Sequence, residues 1–256
     1  MLFGESVAEV DAVIFDKDGT LFDARVMLSR LGAERFRLMK EAGVGPDGLQ
    51  WAARAVGFDL EKQIVHSTGP LALATSKEEA VAAATGLCLS GYAWIEARKI
   101  ALDAYERAEK QIDVASMTDL CEGVSAALTA LKSHGLMLGI VTTDTRDRSR
   151  RMLEQAGIAG LFDVVVGSED YRSPKPDPEP ILKACEKLGI TPGKCAYVGD
   201  SVSDMNAARN AGTKLRVGVL TGFGDASILR SLADVVLRSA ADIRPGGAVG
   251  RSVVRT

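Results

Sequence analysis

The chain has 256 residues, 46% of them hydrophobic, with 31 Lys and Arg against 34 Asp and Glu for a net charge of −3. This is enough apolar material for one large domain or for a core with an attachment, and it offers no general electrostatic attraction to nucleic acid or an anionic membrane. No stretch approaches the roughly 20 apolar residues of a membrane span, and the opening MLFGESVAEVD lacks the basic and long apolar parts of an export leader. A cytoplasmic protein is therefore expected.

Residues 11–16 predict a short buried strand, because Val13, Ile14 and Phe15 form a continuous apolar run that ends at Asp18 and Gly19. From about Ala24 to Met117 the texture is helical: Ala, Leu, Glu, Lys and Arg dominate, with breaks at GVGPDG, HSTGP and ATG. After Thr118 helices and strands alternate. A helix through LCEGVSAALTALKSHG leads to a strand in LMLGIVT, then a helix through RDRSRRMLEQAG, a strand in FDVVVG and the loop SPKPDPEP. The series closes with a helix in ILKACEKLG, a strand in KCAYVGD, a helix in SDMNAARNAG, a strand in LRVGVL and a short pair near ILRSLADVVL. Such alternation predicts an α/β fold, a Rossmann-like parallel sheet with helices on both faces. A lone first strand cannot bury itself, so it must join that sheet. The expected organisation is a core of residues 1–21 and 118–256 with an inserted all-α domain at 22–117, and a loosely ordered tail RPGGAVGRSVVRT.

In open parallel sheets the working groups gather at the carboxyl ends of the strands. The first strand delivers Asp16 and Asp18, the second Thr142 and Thr143, the fourth Asp200 and then Asp204, while Lys175 lies in the proline-rich loop after the third. That many carboxylates cannot stay ionised together without a cation, and an all-oxygen set suits a hard ion such as Mg2+. Taken alone, each residue has a plainer reading: a turn with a helix cap, a β-branched strand residue, a solvated loop lysine. Together and in order they do not.

The ordered motifs DKDGT, GIVTT, SPKPD and GDSVSD resemble those of the haloacid dehalogenase superfamily of phosphatases, over residues 11 to roughly 237. The resemblance implies that Asp16 attacks phosphorus and that Asp18 serves as acid and base, with Thr142, Lys175 and the amides of Asp18 and Thr143 holding the transferring oxygens. It implies Mg2+ held by Asp16, the Asp18 main-chain carbonyl and Asp200, with Asp204 either ligating or orienting Lys175. Relatives that cleave carbon–halogen bonds lack the second aspartate, so Asp18 favours phosphate ester or phosphomutase chemistry. The helical insertion resembles the cap of this superfamily, which implies a small phosphorylated metabolite as substrate. A phosphomutase and a non-catalytic regulatory protein of the same fold are the alternatives.

The remaining candidates read as structural. His134 precedes Gly135 at a helix end, where a histidine complements the terminal carbonyls. His66 reads as a surface or packed residue of the helical block, with reach to substrate as a second option. Arg146 and Arg148 read as a solvated helix face that could alternatively meet an anionic substrate. Trp51, Trp94 and Tyr92 are expected to pack the helical block, and the glycines of TGFGD to punctuate a loop. Cys88, Cys121, Cys185 and Cys195 lack CxxC spacing and read as buried reduced thiols.

Overall fold

The computed structural model describes residues 1–3, 6–112 and 119–246, and the chain divides into two compact units, Met1–Asp23 with Asp119–Thr256, and Ala24–Thr118. The second boundary expected from the sequence, at 117/118, and residues 247–256 of the expected tail lie outside the described residues.

The first unit is built on six parallel strands: β1 (Ala12–Phe15), β2 (Met137–Val141), β3 (Val164–Val166), β4 (Cys195–Gly199), β5 (Leu215–Val219) and β6 (Val235–Leu237). Their order across the sheet is β6-β5-β4-β1-β2-β3. Successive residues of a strand face opposite sides. Because every residue of β1, β3 and β4 is buried, both faces of this sheet are covered. Continuous runs such as AVIF and VVV are the sequence form of that burial, and each large aliphatic or aromatic side chain so removed from water contributes roughly 1.5–3 kcal/mol.

Helices α6 (Val124–Ser133), α7 (Arg146–Gln155), α8 (Glu179–Leu188), α9 (Val202–Ala211) and α10 (Ala226–Leu232) make the crossovers. The chain builds outward through β2 and β3 on one side of β1 and then through β4, β5 and β6 on the other, so the strand order reverses at β1. Ligands of open α/β sheets bind at that point, beyond the carboxyl ends of the strands. Leu2–Phe3 pairs antiparallel with Ile243–Arg244 and with Ser6–Val7, a small sheet that the sequence pattern did not announce.

The second unit contains α1 (Ala24–Glu41), α2 (Pro46–Val56), α3 (Pro70–Leu73), α4 (Ser76–Leu89) and α5 (Trp94–Gln111). Thr75 opens α4 with a capping box: its hydroxyl accepts from the Glu78 amide while the Glu78 carboxylate accepts from the Thr75 amide. Small side chains line its interior, among them Ala80, Ala83, Ala84, Ala97, Ala101 and Ala104. Phe36 stacks on Phe58 at 5.4 Å between centroids. Phe58–Asp59 and Ile64–Val65 add a two-stranded antiparallel pair to this otherwise helical unit. Two side chains expected inside are not: Trp51 is 43% exposed and Trp94 47%, while Tyr92 is half-buried and accepts a hydrogen bond from the Gly45 amide.

Candidate active site

The register of the central strands sets the site. Phe15 pairs with Val198 of β4 and with Ile140 of β2, so Asp16 leaves β1 level with the ends of both neighbours, where Asp200 and Thr142 follow. The Asp16 amide donates to the Val198 carbonyl at 2.8 Å, which carries the pairing one residue past the strand.

Lys175 reaches this point from the loop after β3. Its Nζ donates to Asp16 Oδ1 at 2.7 Å and to Asp204 Oδ1 at 2.6 Å. Asp204 stands in the first turn of α9, where its Oδ2 accepts from the Ser201 amide and hydroxyl while Ser201 caps the helix in return. The buried Tyr197 hydroxyl donates to Asp204 Oδ1 at 3.0 Å. Both Asp204 oxygens thus already accept hydrogen bonds, and orienting Lys175 is the role its contacts display.

Asp200 is held by neutral donors, one backbone and one side-chain, rather than by an ion pair. Its Oδ2 accepts from the Phe223 amide at 3.1 Å and its Oδ1 from the Thr20 hydroxyl at 3.4 Å. Gly19 adopts φ +84°, and a Cβ there would stand 2.7 Å from the Asp200 carboxylate. At Gly222 the approach is closer still, 1.8 Å from an added Cβ to Asp200 Oδ2. The glycines of TGFGD are therefore more than punctuation: Gly222 lets the loop after β5 close over this carboxylate.

Oxygens of Asp16, Asp200 and Asp204 lie within 4.8 Å of one another, and all three residues are buried. Burial pushes the Asp16 carboxyl up to about 7 although Lys175 pulls it down, and burial with the neighbouring Asp16 and Asp204 raises Asp200 well above the carboxylate range. Burial disfavours the charge on Lys175, yet Asp16 and Asp204 outweigh it and raise the ammonium well above its usual value. Three carboxylates facing one ammonium are short of positive charge. A hard divalent cation with oxygen ligands meets that deficit, so the residues present fit Mg2+.

The Asp18 carboxylate is not part of this trio. It turns to Lys17, whose fully buried Nζ donates to Asp18 Oδ1 at 2.7 Å and lies 3.4 Å from Asp144 Oδ2. Thr142 is buried at the end of β2, with its hydroxyl accepting from the Asp144 amide at 3.1 Å, and Thr143 beside it is exposed. Sequence reasoning passed over Lys17, Asp144, Tyr197 and Gly222. The signal for Lys17 was present: a charged residue inside an apolar strand-end motif must find a partner.

Other candidates settle elsewhere. Arg146 pairs with Asp170 at 3.2 Å and Arg148 with Asp144 at 3.4 Å, both part-exposed on α7. His134 Nδ1 lies 2.9 Å from the Ala130 carbonyl at the end of α6, the helix-end role expected. His66 is exposed and lines an open hollow of about 510 Å³ with Gln50, Arg54 and Asp59, all residues of the helical unit. All four cysteines are free thiols, but only Cys185 and Cys195 are buried, 3.9 Å apart; Cys88 and Cys121 are half-buried.

Residues 13–217 match the family model for haloacid dehalogenase-like hydrolases. The chain is 46% identical over 93 residues to pyrophosphatase PpaX of Bacillus velezensis, covering 36% of this chain and 43% of that protein. It is 39% identical over 130 residues to phosphoglycolate phosphatase of Escherichia coli K12, covering 50% and 51%. The chain thus spans about half the length of the curated relatives it matches. A crystal structure of a predicted phosphoglycolate phosphatase from Haemophilus somnus shares the fold, with a TM-score of 0.68 at 23% identity over 93% of this chain and 97% of that one.

Proposed function

Because the chain belongs to the haloacid dehalogenase-like hydrolase family, we propose that it is a Mg2+-dependent phosphatase that takes phosphate from a small phosphorylated metabolite through an aspartyl-phosphate on Asp16. The observation that carries this reading is the convergence of Asp16, Asp200, Asp204 and Lys175 beyond the reversal in strand order, with Asp18 two residues from Asp16.

In this account an Asp16 oxygen bonds to phosphorus as the ester P–O bond breaks, and a proton on Asp18 passes to the departing oxygen. Asp18 then takes a proton from water as the water oxygen bonds to phosphorus and Asp16 is released. Lys175 and the Thr142 hydroxyl hold the phosphoryl oxygens, where charge builds in the transition state. Asp16, Asp200 and the Asp18 carbonyl would hold Mg2+, which supplies charge to offset the carboxylates and to polarise the phosphoryl group, while Asp204 orients Lys175. We assign the helical unit, inserted between the first two motifs, the role of a cap that restricts entry to small substrates. The names of the two relatives, a pyrophosphatase and a phosphoglycolate phosphatase, support a small phosphorylated substrate.

Phosphate release from a panel of phosphoglycolate, pyrophosphate, sugar phosphates and an aryl phosphate, with and without Mg2+, tests the reading. Mg2+-dependent release is the expected result. Transfer to a second hydroxyl without net release indicates a mutase, and inertness on every ester contradicts the proposal.

A further inference from the structure

Lys17 occupies the middle of the DKDGT motif with a side chain that is 0% exposed, an expensive place for an ammonium group. Four groups surround its Nζ: Asp18 Oδ1 at 2.7 Å, Met152 Sδ on α7 at 3.1 Å, Asp144 Oδ2 at 3.4 Å and the Phe22 ring, whose centroid is 6.0 Å away. Asp144 is itself fixed, since its Oδ1 accepts from the Thr145 amide at 2.7 Å and pairs with Arg148, while its amide donates to Thr142. Stability does not call for this arrangement, because replacing a buried ion pair by apolar side chains of like volume is often neutral or favourable.

What the ammonium does is hold one oxygen of Asp18. The Asp18 side chain stays 27% exposed, and its Oδ2 has no protein donor among the described residues. The geometry points to Lys17 as a positioning residue that clamps Asp18 Oδ1 between the first two motif loops and leaves Oδ2 as the oxygen that exchanges protons with the leaving group and with water. This rests on the phosphatase reading above and adds to it the residue that orients its acid and base. Proton transfer by a placed carboxyl is worth on the order of 10²- to 10⁴-fold, and in the phosphorylation of Asp16, the half-reaction that kcat/KM reports, it counts only when the leaving oxygen needs a proton.

The test compares kcat/KM, with saturating Mg2+, for a dinitrophenyl phosphate, whose leaving group departs as a stable anion, and for an alkyl phosphate, whose leaving group must be protonated. Lys17→Met keeps the buried stem and removes the clamp. It is expected to lose on the order of 10²-fold on the alkyl ester and less than about threefold on the aryl ester, the pattern expected also of Asp18→Asn, with Lys17→Arg restoring part of the loss. Equal losses on both esters, or none, overturn the positioning role while the wild-type protein remains a phosphatase. If Lys17→Met does not fold, Asp144→Asn, which keeps Lys17 and loosens its anchor, must show the same selective loss on the alkyl ester, and an unselective loss overturns the role. Wild-type protein inert on both esters overturns the phosphatase reading itself.

Discussion

Lys175 Nζ lies 2.7 Å from Asp16 Oδ1, a contact that joins residues 159 apart in the chain and places a buried ammonium beside the carboxylate proposed to attack phosphorus. The same nitrogen is 2.6 Å from Asp204 Oδ1, so one lysine balances two of three clustered carboxylates. This division of charge generates the first expectation.

Lys175→Met is expected to lower kcat/KM for an aryl phosphate by about 10²- to 10³-fold, the usual loss when a group facing transition-state charge is removed. It also leaves Asp16 and Asp204 buried without their counter-charge, which costs about 3–5 kcal/mol. The melting temperature of the metal-free variant should therefore fall, and Mg2+ should recover more of it than in the wild type. A variant that loses neither rate nor stability contradicts the account.

Mg2+ should stabilise the wild-type protein against heat. At a hundredfold excess over its dissociation constant, binding to the native state adds about 2.7 kcal/mol. A shift of several degrees in the melting temperature, abolished by chelation and by Asp200→Asn, is the expected result. A melting curve indifferent to Mg2+ would remove the ion from the site.

Gly222→Ala tests the glycine loop. An added Cβ falls 1.8 Å from Asp200 Oδ2, so the loop or the carboxylate must shift. Because such support commonly governs metal affinity by about 10- to 100-fold, the Mg2+ concentration for half-maximal activity should rise by that factor with little change in melting temperature of the metal-free protein. Unchanged Mg2+ dependence would mean that the loop does not set the position of Asp200.

The helical unit carries a separate pH expectation. Burial pushes Glu79 up to about 7, although Arg35, which donates to it and lies over the Tyr105 ring at 4.0 Å, pulls it down. An acid whose native pKa lies above its unfolded value binds more protons when folded, so its contribution is complete below about 4.5 and is lost as pH rises through 7. Denaturant titration between pH 4.5 and 7 should show stability falling by at most about 3 kcal/mol from this group, and Glu79→Gln should flatten that slope. A slope unchanged by the substitution would show that Glu79 ionises as an ordinary surface carboxylate does.

How much of this was readable in advance follows from the physics of each position. The runs AVIF, MLGIV and CAYVG announced β1, β2 and β4 because strands covered on both faces must be apolar throughout. Asp16, Asp200 and Lys175 could be singled out because polar groups at the ends of such strands need a common purpose, and the structure brings them within reach of one another. Lys17 was not legible as a clamp, since alternation along the chain does not say that an ammonium will be enclosed by Asp18, Asp144 and Met152. Gly222 looked like any turn glycine until Asp200 was seen beneath it. Composition gave no warning that Trp51 and Trp94 would remain so exposed, because amphipathic periodicity does not fix which helix faces find a partner.

The central claim, a phosphoryl group carried by Asp16, is tested most directly by quenching the protein during turnover of an aryl phosphate, reducing any acyl phosphate with borohydride and sequencing the peptides by mass spectrometry. The account predicts homoserine at position 16, dependent on Mg2+ and absent from Asp16→Asn. Continued turnover with Asp16 unmodified, or with the label on another carboxylate, would contradict it.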